Sequence, residues 1–179
     1  METMDSISRR RSIRKFIDKE IPREIVEKIL DSAIKAPSAK NRQPWKFIVI
    51  TSKEEKSNML EAVRAGIENE KNGDGLLPNS LFIFNTESSY LWNETSIENK
   101  FYHIANVQSI GAAIENMLLT ATDIGIGSLW ICDIFFAYRE LSNYFNSQNE
   151  LIAAVSFGYA DEAPNLRPRK EFDDVVEWR

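Results

Sequence analysis

Four short apolar runs, separated from one another by helical patterns, constrain the fold of this 179-residue chain more than any other feature. The runs are rich in β-branched and aromatic residues, which is typical of buried strands, and they occupy residues 45–51, 81–86, 127–132 and 151–159. Helical patterns occupy residues 23–36, 53–70, 103–123 and 137–146. The alternation predicts a central sheet covered by helices, in an α/β or α+β sandwich, and leaves the strand directions open.

The strongest helical pattern is the one at residues 103–123. Its apolar side chains recur every three or four residues, at Val107, Ile110, Ala113, Ile114, Met117, Leu118 and Ala121. Between the elements, a turn is predicted at residues 72–75 and an irregular excursion at residues 87–100. The last segment, residues 160–179, is too polar for a core element, so we predict an ordered tail that lies on a surface.

Composition indicates a single soluble domain covering residues 1–179, since 43% of the residues are hydrophobic and 27% are charged. No apolar run approaches the roughly 20 residues that cross a bilayer, and no signal peptide is recognisable, so we expect a cytoplasmic protein. Cys132 and His103 are the only cysteine and histidine, which disfavours a disulfide, a metal site and a histidine-based triad. The net charge of −5 disfavours nucleic acid and anionic membranes as partners.

Basic residues cluster near both ends of this acidic chain. Residues 9–15 contain five cations in seven positions, and residues 167–170 contain three in four. Arginine presents a planar fork of donors that suits a phosphate dianion, and Ser12 adds a hydroxyl donor. If folding brings the two ends together, they form a pocket for a small, highly charged anion. A solvated basic helix face and a charged tail are the alternatives for the two segments taken separately.

The loop after the first helix, residues 37–45, combines small side chains with amides. Ser38 and Ala39 would allow close approach to a planar heterocycle, while Asn41 and Gln43 could exchange hydrogen bonds with its edges. A plain helix-to-strand connection is the alternative. The glycines near residue 126 follow a helix and open a strand, so they do not form a dinucleotide-binding motif. Cys132 is predicted to be a small buried apolar residue rather than a nucleophile.

Taken together and in this order, four segments resemble the nitroreductase family of flavoproteins: residues 9–16, 36–50, 109–131 and 157–176. The resemblance implies an α+β fold with a mostly antiparallel or mixed sheet of four to five strands, flanked by helices. It also implies an intertwined homodimer with two FMN sites, each built from both subunits. The helix at 103–123 would form much of the dimer interface, and the C-terminal tail would wrap around the partner.

The resemblance also assigns the residues that would bind FMN, in three groups. Those that would hold the phosphate and ribityl chain are Arg10, Arg11, Ser12 and Arg14, with Arg167 and Arg169 closing on the same phosphate. Those that would reach a flavin bound mainly by the other subunit are Pro37, Ser38, Ala39, Asn41 and Gln43. Those that would lie beside the isoalloxazine ring, with a backbone N–H directed at N5, are Trp130, Ile131 and Cys132.

The activity implied by the resemblance is hydride transfer from NADH or NADPH, through flavin N5, to a small electron-poor acceptor such as a nitroaromatic, a quinone or an enone. The flavin carries this chemistry, so no side chain is assigned as a catalytic acid or base. Two alternatives stay open: a flavin-binding or sensory protein without turnover, and a reductive dehalogenase or flavin-fragmenting relative. Cys132 and Asp133 stand where many relatives have glycine or glutamate, and residues 87–102 match no segment of the family.

Overall fold

The structure is a computed structural model that describes residues 2–68, 81–86, 97–147 and 149–179. Its helices are α1 (Thr3–Arg9), α2 (Arg23–Ile34), α3 (Lys53–Glu68), α4 (Ile97–Asp123) and α5 (Tyr138–Tyr144). Its strands are β1 (Trp45–Ile50), β2 (Leu81–Thr86), β3 (Gly127–Ile131) and β4 (Glu150–Gly158). Short 3-10 turns occur at Ala39–Asn41, Asp133–Ala137 and Phe172–Asp174. All four predicted strands are confirmed within two residues of their predicted ends.

The four strands form one sheet in the order β1-β2-β4-β3, and every neighbouring pair is antiparallel. This confirms the expected α+β class and excludes a parallel α/β sheet. At the β3 edge, Ser12 forms a single parallel bridge with Ser128, so the N-terminal segment extends the sheet. A register shift between Phe84 and Asn85 marks a bulge in the pairing of β2 with β4.

Helices cover both faces of the sheet. Successive side chains of a strand point to opposite faces, and β4 has buried apolar side chains on both of them. On one face, Val155 and Phe157 of β4 pack with Ile29 of α2 and Ile114 of α4, all of them fully buried. On the other face, Ala154 packs in a second cluster with Met59 of α3 and Leu141 of α5. The molecule is therefore a three-layer sandwich, and the long helix α4 lies in the larger core.

Helix α4 begins at Ile97, six residues before the predicted start. The prediction that residues 97–100 are irregular was therefore wrong. In the sequence, Thr95 stands three residues before Glu98, the spacing of a capping box, and this signal was available without the structure. The remainder of the predicted excursion, residues 87–96, and the predicted turn at 72–75 lie outside the described residues.

The N-terminal end of the chain differs from the prediction. Helix α1 was not predicted, and it packs on α4 with Ser6 buried. The tail follows the chain's own surface only as far as residue 164, and beyond this point almost every residue is exposed. Within the described ranges, no helix is long and apolar enough to span a membrane.

Candidate functional site

Hydrogen bonds attach the N-terminal segment, residues 12–17, between β3 and the start of the tail. The Ile13 N–H donates to the Ser128 carbonyl at 2.8 Å, and the Ile17 N–H donates to the Tyr159 carbonyl at 3.0 Å. The Asp161 N–H completes the pairing by donating to the Lys15 carbonyl at 2.9 Å. The structure therefore joins the N-terminal basic segment to the beginning of the C-terminal tail, at residues 159–162. The basic residues 167–170, which were predicted to meet this segment, lie beyond this junction.

Two glycines allow this close attachment. Gly127 and Gly158 are paired across β3 and β4. A Cβ on Gly127 would stand 3.1 Å from Cγ1 of Ile13, and one on Gly158 would stand 2.5 Å from Cδ1 of Phe16. Because real Cβ atoms do not approach other atoms to 2.5 Å, Phe16 can lie over this position only while it is glycine.

The arginines of this segment point in different directions, since side chains alternate along an extended chain. Arg11 and the buried Ile13 line an open groove of about 380 Å³, which Gly127 and Glu162 also line. Arg11 Nη1 also donates to the Ser8 and Arg10 carbonyls, both at 2.8 Å, and so covers the end of α1. The structure thus separates Arg11 from the alternate row formed by Arg10, Ser12 and Arg14.

Few negatively charged groups lie close to the guanidinium groups of that alternate row. Arg10 Nε lies 3.7 Å from Oε1 of Glu115 on α4, a long separation for an ion pair. Arg14 is exposed, and no described carboxylate lies within 4 Å of its guanidinium. By the alternation of side chains along an extended chain, these two arginines and the hydroxyl of Ser12 lie on the same side of the segment.

Glu162 holds the backbone at Arg14. Its Oε1 accepts hydrogen bonds from the N–H groups of Arg14 and of Lys15, the latter at 3.1 Å. The hydrogen bond from the Arg14 N–H is the main cause that lowers the pKa of the Glu162 carboxyl. Glu162 thus holds Arg14 mainly through the backbone N–H, and the attraction of the Arg14 guanidinium is the last of the causes that lower this pKa.

Replacing Glu162 by Gln is expected to lower the free energy of unfolding at neutral pH but not in acid. A depressed carboxyl pKa stabilises the folded state above the unfolded value of about 4.3, and this contribution disappears as the pH falls through the lower folded value. Urea unfolding at about pH 7 and about pH 3 measures the difference between wild type and variant. A difference that is equal at both pH values would contradict the role of the ionised carboxylate.

The structure describes no contact between Arg167 or Arg169 and the N-terminal arginines. Arg169 Nη1 instead donates to the Arg167 carbonyl at 3.3 Å, and both side chains are exposed. Arg167 lies five positions after Glu162, a length of chain that spans at most about 18 Å when extended. The tail arginines are thus tethered near the row of Arg10 and Arg14 but not packed against it.

The predicted ring-contacting loop has an unusual backbone. Lys40, Asn41 and Gln43 all have left-handed φ angles, of 54°, 54° and 51°, a conformation that costs non-glycine residues free energy and is concentrated at functional sites. The Gln43 N–H donates to Ser38 Oγ at 3.0 Å, and the Ala39 N–H donates to Ser109 Oγ of α4 at 3.3 Å. Pro37 lies exposed at the start of this loop. The sequence located the loop, but only Asn41 is a residue type that hints at its left-handed backbone.

The end of β3 is open to solvent. Trp130 is 40% exposed, and its Cη2 lies 3.8 Å from the position of a Cβ on Gly111 of α4. Cys132 is exposed, so the prediction that it is buried was wrong; it follows Ile131, the last paired residue of β3, where the chain turns outward into the 3-10 turn. Among the described residues, no acceptor receives the backbone N–H of Cys132 or Asp133.

These features fit a planar group that carries a phosphate. The guanidinium groups of Arg10 and Arg14 suit a dianion, and the exposed face of Trp130 offers an apolar surface. The unpaired N–H groups after Ile131 can donate to a ring nitrogen. Within the described part of the chain, no three side chains of the metal-binding types cluster. His103, the single histidine, instead lies 3.4 Å from the Glu150 carboxylate.

Comparisons with known proteins identify the family of the chain. The family model described as the nitroreductase family matches residues 7–159. The chain is 30% identical to YfhC of Bacillus subtilis (strain 168), by its name a candidate NAD(P)H nitroreductase, over 95% of this chain and 90% of that protein.

Two solved structures share the fold over the full length of the chain. The BluB-like flavoprotein from Clostridium difficile 630 has a TM-score of 0.84 at 23% identity, covering 100% of this chain and 99% of its own. The nitroreductase with bound FMN from Bacteroides fragilis NCTC 9343 has a TM-score of 0.79 at 22% identity, with the same coverage. Because the family model spans most of the residues and the relatives share the architecture described above, this chain belongs to the nitroreductase family.

Proposed function

We propose that the protein binds FMN and transfers a hydride from NADH or NADPH to a small electron-poor acceptor such as a nitroaromatic, a quinone or an enone. The observation that carries the proposal is the row of Arg10, Ser12 and Arg14, which is held on the sheet edge beside Ser128, near the start of β3. The exposed Trp130 lies further along the same strand, and the exposed Cys132 directly follows its end. Support also comes from the family, whose relatives include a candidate NAD(P)H nitroreductase and a structure with bound FMN.

Bound FMN would supply a ring nitrogen, N5, that accepts and donates hydride. Arg10 and Arg14 would neutralise its phosphate, with Arg167 or Arg169 added when the tail closes. The N–H groups of Cys132 and Asp133 would donate to the ring and stabilise negative charge there, as donors of an oxyanion hole do. In this proposal, the side chains bind and orient, and none of them transfers a proton.

We also propose a homodimer. Large apolar side chains are exposed on α1, on α4 and on the tail: Met4, Ile7, Phe101, Ile104, Leu166, Phe172, Val175 and Trp178. Trp178 is 83% exposed, and the described hydrogen bonds of residues 172–179 are local. Apolar patches of this kind mark interaction sites, and a second copy would cover them while bringing the loop at residues 37–43 toward the flavin.

For a homodimer we expect a mass of about 41 kDa in sedimentation analysis, twice the 20.6 kDa of one chain. Ile104→Glu, on the exposed face of α4, is expected to give a monomer that loses flavin, since a buried unpaired carboxylate is strongly unfavourable. Val49→Glu, at a similarly exposed apolar position on the edge strand β1, is the control. A monomeric wild type, or a dimer that tolerates Ile104→Glu, would refute this interface.

Purification tests the cofactor directly. We expect a yellow protein whose flavin, released by heat and identified by chromatography, is FMN. Adding NADH or NADPH without oxygen should bleach the yellow colour, and a quinone should restore it through repeated turnovers. A protein that is colourless and takes up no FMN would overturn the proposal, while bleaching without acceptor turnover would favour the flavin-binding alternative.

A further inference from the structure

Two cations of the loop at residues 37–43 lie against one aromatic ring. Arg42 Cζ lies 3.9 Å from the centre of the Tyr102 ring, and Lys40 Nζ lies 5.5 Å from the same point and 3.3 Å from the Tyr102 hydroxyl oxygen. Tyr102 belongs to α4 and is partly buried, whereas both cations are exposed. We call Lys40, Arg42 and Tyr102 the loop cation cluster.

The cluster carries uncompensated positive charge on an acidic protein. Residues 32–53 contain five cations and no acidic residue, although the whole chain has a net charge of −5. Of these five cations, Lys35 and Lys53 pair with Asp31 and Asp18. Among the described residues, no carboxylate lies within 4 Å of the charged groups of Lys40 and Arg42.

The geometry leaves donors available. A guanidinium that stacks on a ring through its face keeps its N–H groups at the edge, where they can form a bidentate contact with an anion. The Lys40 ammonium has three donors, and the Tyr102 hydroxyl accepts at most one of them. The hydrogen bonds of Ser38 and Ala39 hold the loop backbone from which both side chains project, and Lys40 has a left-handed φ angle within it.

We propose that the loop cation cluster binds an anionic group, a phosphate monoester or a carboxylate, of the molecule that meets the flavin. This inference rests on the proposed function, because it requires the loop to face the flavin held mainly by the other subunit. The anion has two sources: the 2′-phosphate that distinguishes NADPH from NADH, or a carboxylate on the electron acceptor. The cluster therefore selects among substrates and does not hold FMN.

The test uses the flavin-loaded dimer of Lys40→Gln/Arg42→Gln. Four kcat/KM values are measured: NADPH and NADH with a neutral quinone, then 4-nitrobenzoate and nitrobenzene with NADH. We expect a fall of about tenfold for the anionic substrate that uses the cluster, the size typical of a lost charge-assisted contact, and a change of less than about twofold for nitrobenzene. The KM of that substrate should also rise with salt in the wild type, because exposed charges are screened.

Lys46→Gln is the matched control, since Lys46 is an exposed cation of the same acid-free stretch without a ring partner among the described contacts. A fall for NADPH alone assigns the cluster to the donor phosphate, and a fall for 4-nitrobenzoate alone assigns it to the acceptor carboxylate. Equal changes for charged and neutral substrates, or the same fall in Lys46→Gln, overturn the inference.

Calorimetric titration with NADP⁺ and with 4-nitrobenzoate gives a readout that needs no turnover. We expect the double variant to bind one of the two about tenfold more weakly than the wild type. If the double variant binds each ligand with the same affinity as the wild type, the anion site is refuted, even when flavin content and quinone turnover are intact. A wild type without flavin overturns the proposed function instead, and the titration still decides whether the anion site exists.

Discussion

Arg14→Ala combined with Arg169→Ala is expected to give a folded protein that no longer retains FMN. Each substitution removes a charge-assisted contact to the phosphate worth about 1.5–3 kcal/mol. The pair would therefore raise the dissociation constant by roughly a hundredfold to ten-thousandfold. The ratio of flavin to protein after gel filtration and a fluorescence titration with FMN measure the loss, while circular dichroism and thermal melting verify the fold.

Two control variants make this result specific. Arg23→Ala combined with Arg139→Ala removes the same charge from exposed positions outside the site, where the arginines pair with Glu27 and Glu140, and should keep FMN. Arg11→Ala tests the alternation of side chains along the segment. The Arg11 side chain contacts the Ser8 and Arg10 carbonyls, so its loss should lower the stability of α1 more than it lowers the retention of FMN. If the ratio of flavin to protein is unchanged in the double variant of Arg14 and Arg169, the phosphate binds elsewhere.

Gly158→Ala is expected to disturb both stability and the site. The added Cβ would stand 2.5 Å from Cδ1 and 3.0 Å from Cγ of Phe16, so Phe16 and the segment around it must shift. Overpacking of this kind costs about 1–3 kcal/mol, which lowers Tm by roughly 2–12 °C for a chain of this length. Because Phe16 lies two residues from Arg14, we expect weaker FMN retention together with the lower Tm.

Gly125→Ala separates this effect from general destabilisation. Gly125 has φ +77° and no atom within 4 Å of its added Cβ, so alanine there introduces about 1–2 kcal/mol of backbone strain without moving the segment. Flavin retention should then stay at the wild-type level. Adding Phe16→Ala to Gly158→Ala should recover part of the lost stability, since the two changes share one contact. If the losses of stability from Gly158→Ala and Phe16→Ala simply add in the double variant, the added Cβ does not clash with Phe16.

The sequence by itself determined the strands and most helices, because the properties that specify them are local. Apolar runs predicted the ends of β1 to β4 within two residues, and Pro37 led to a predicted end of α2 within two residues of the observed one. The two basic segments and the small, amide-rich loop were also visible as residue types at close spacing. The order of four such segments was sufficient to indicate the family.

Only the tertiary structure decided how these pieces meet. The placement of β4 between β2 and β3 depends on packing between distant residues, which periodicity does not encode. The separation of Arg11 from Arg14 follows from the pairing of Ile13 with Ser128 and of Arg14 with Glu162, more than a hundred residues away. The exposure of Cys132 and the stacking of Arg42 on Tyr102 likewise depend on where the chain turns in space.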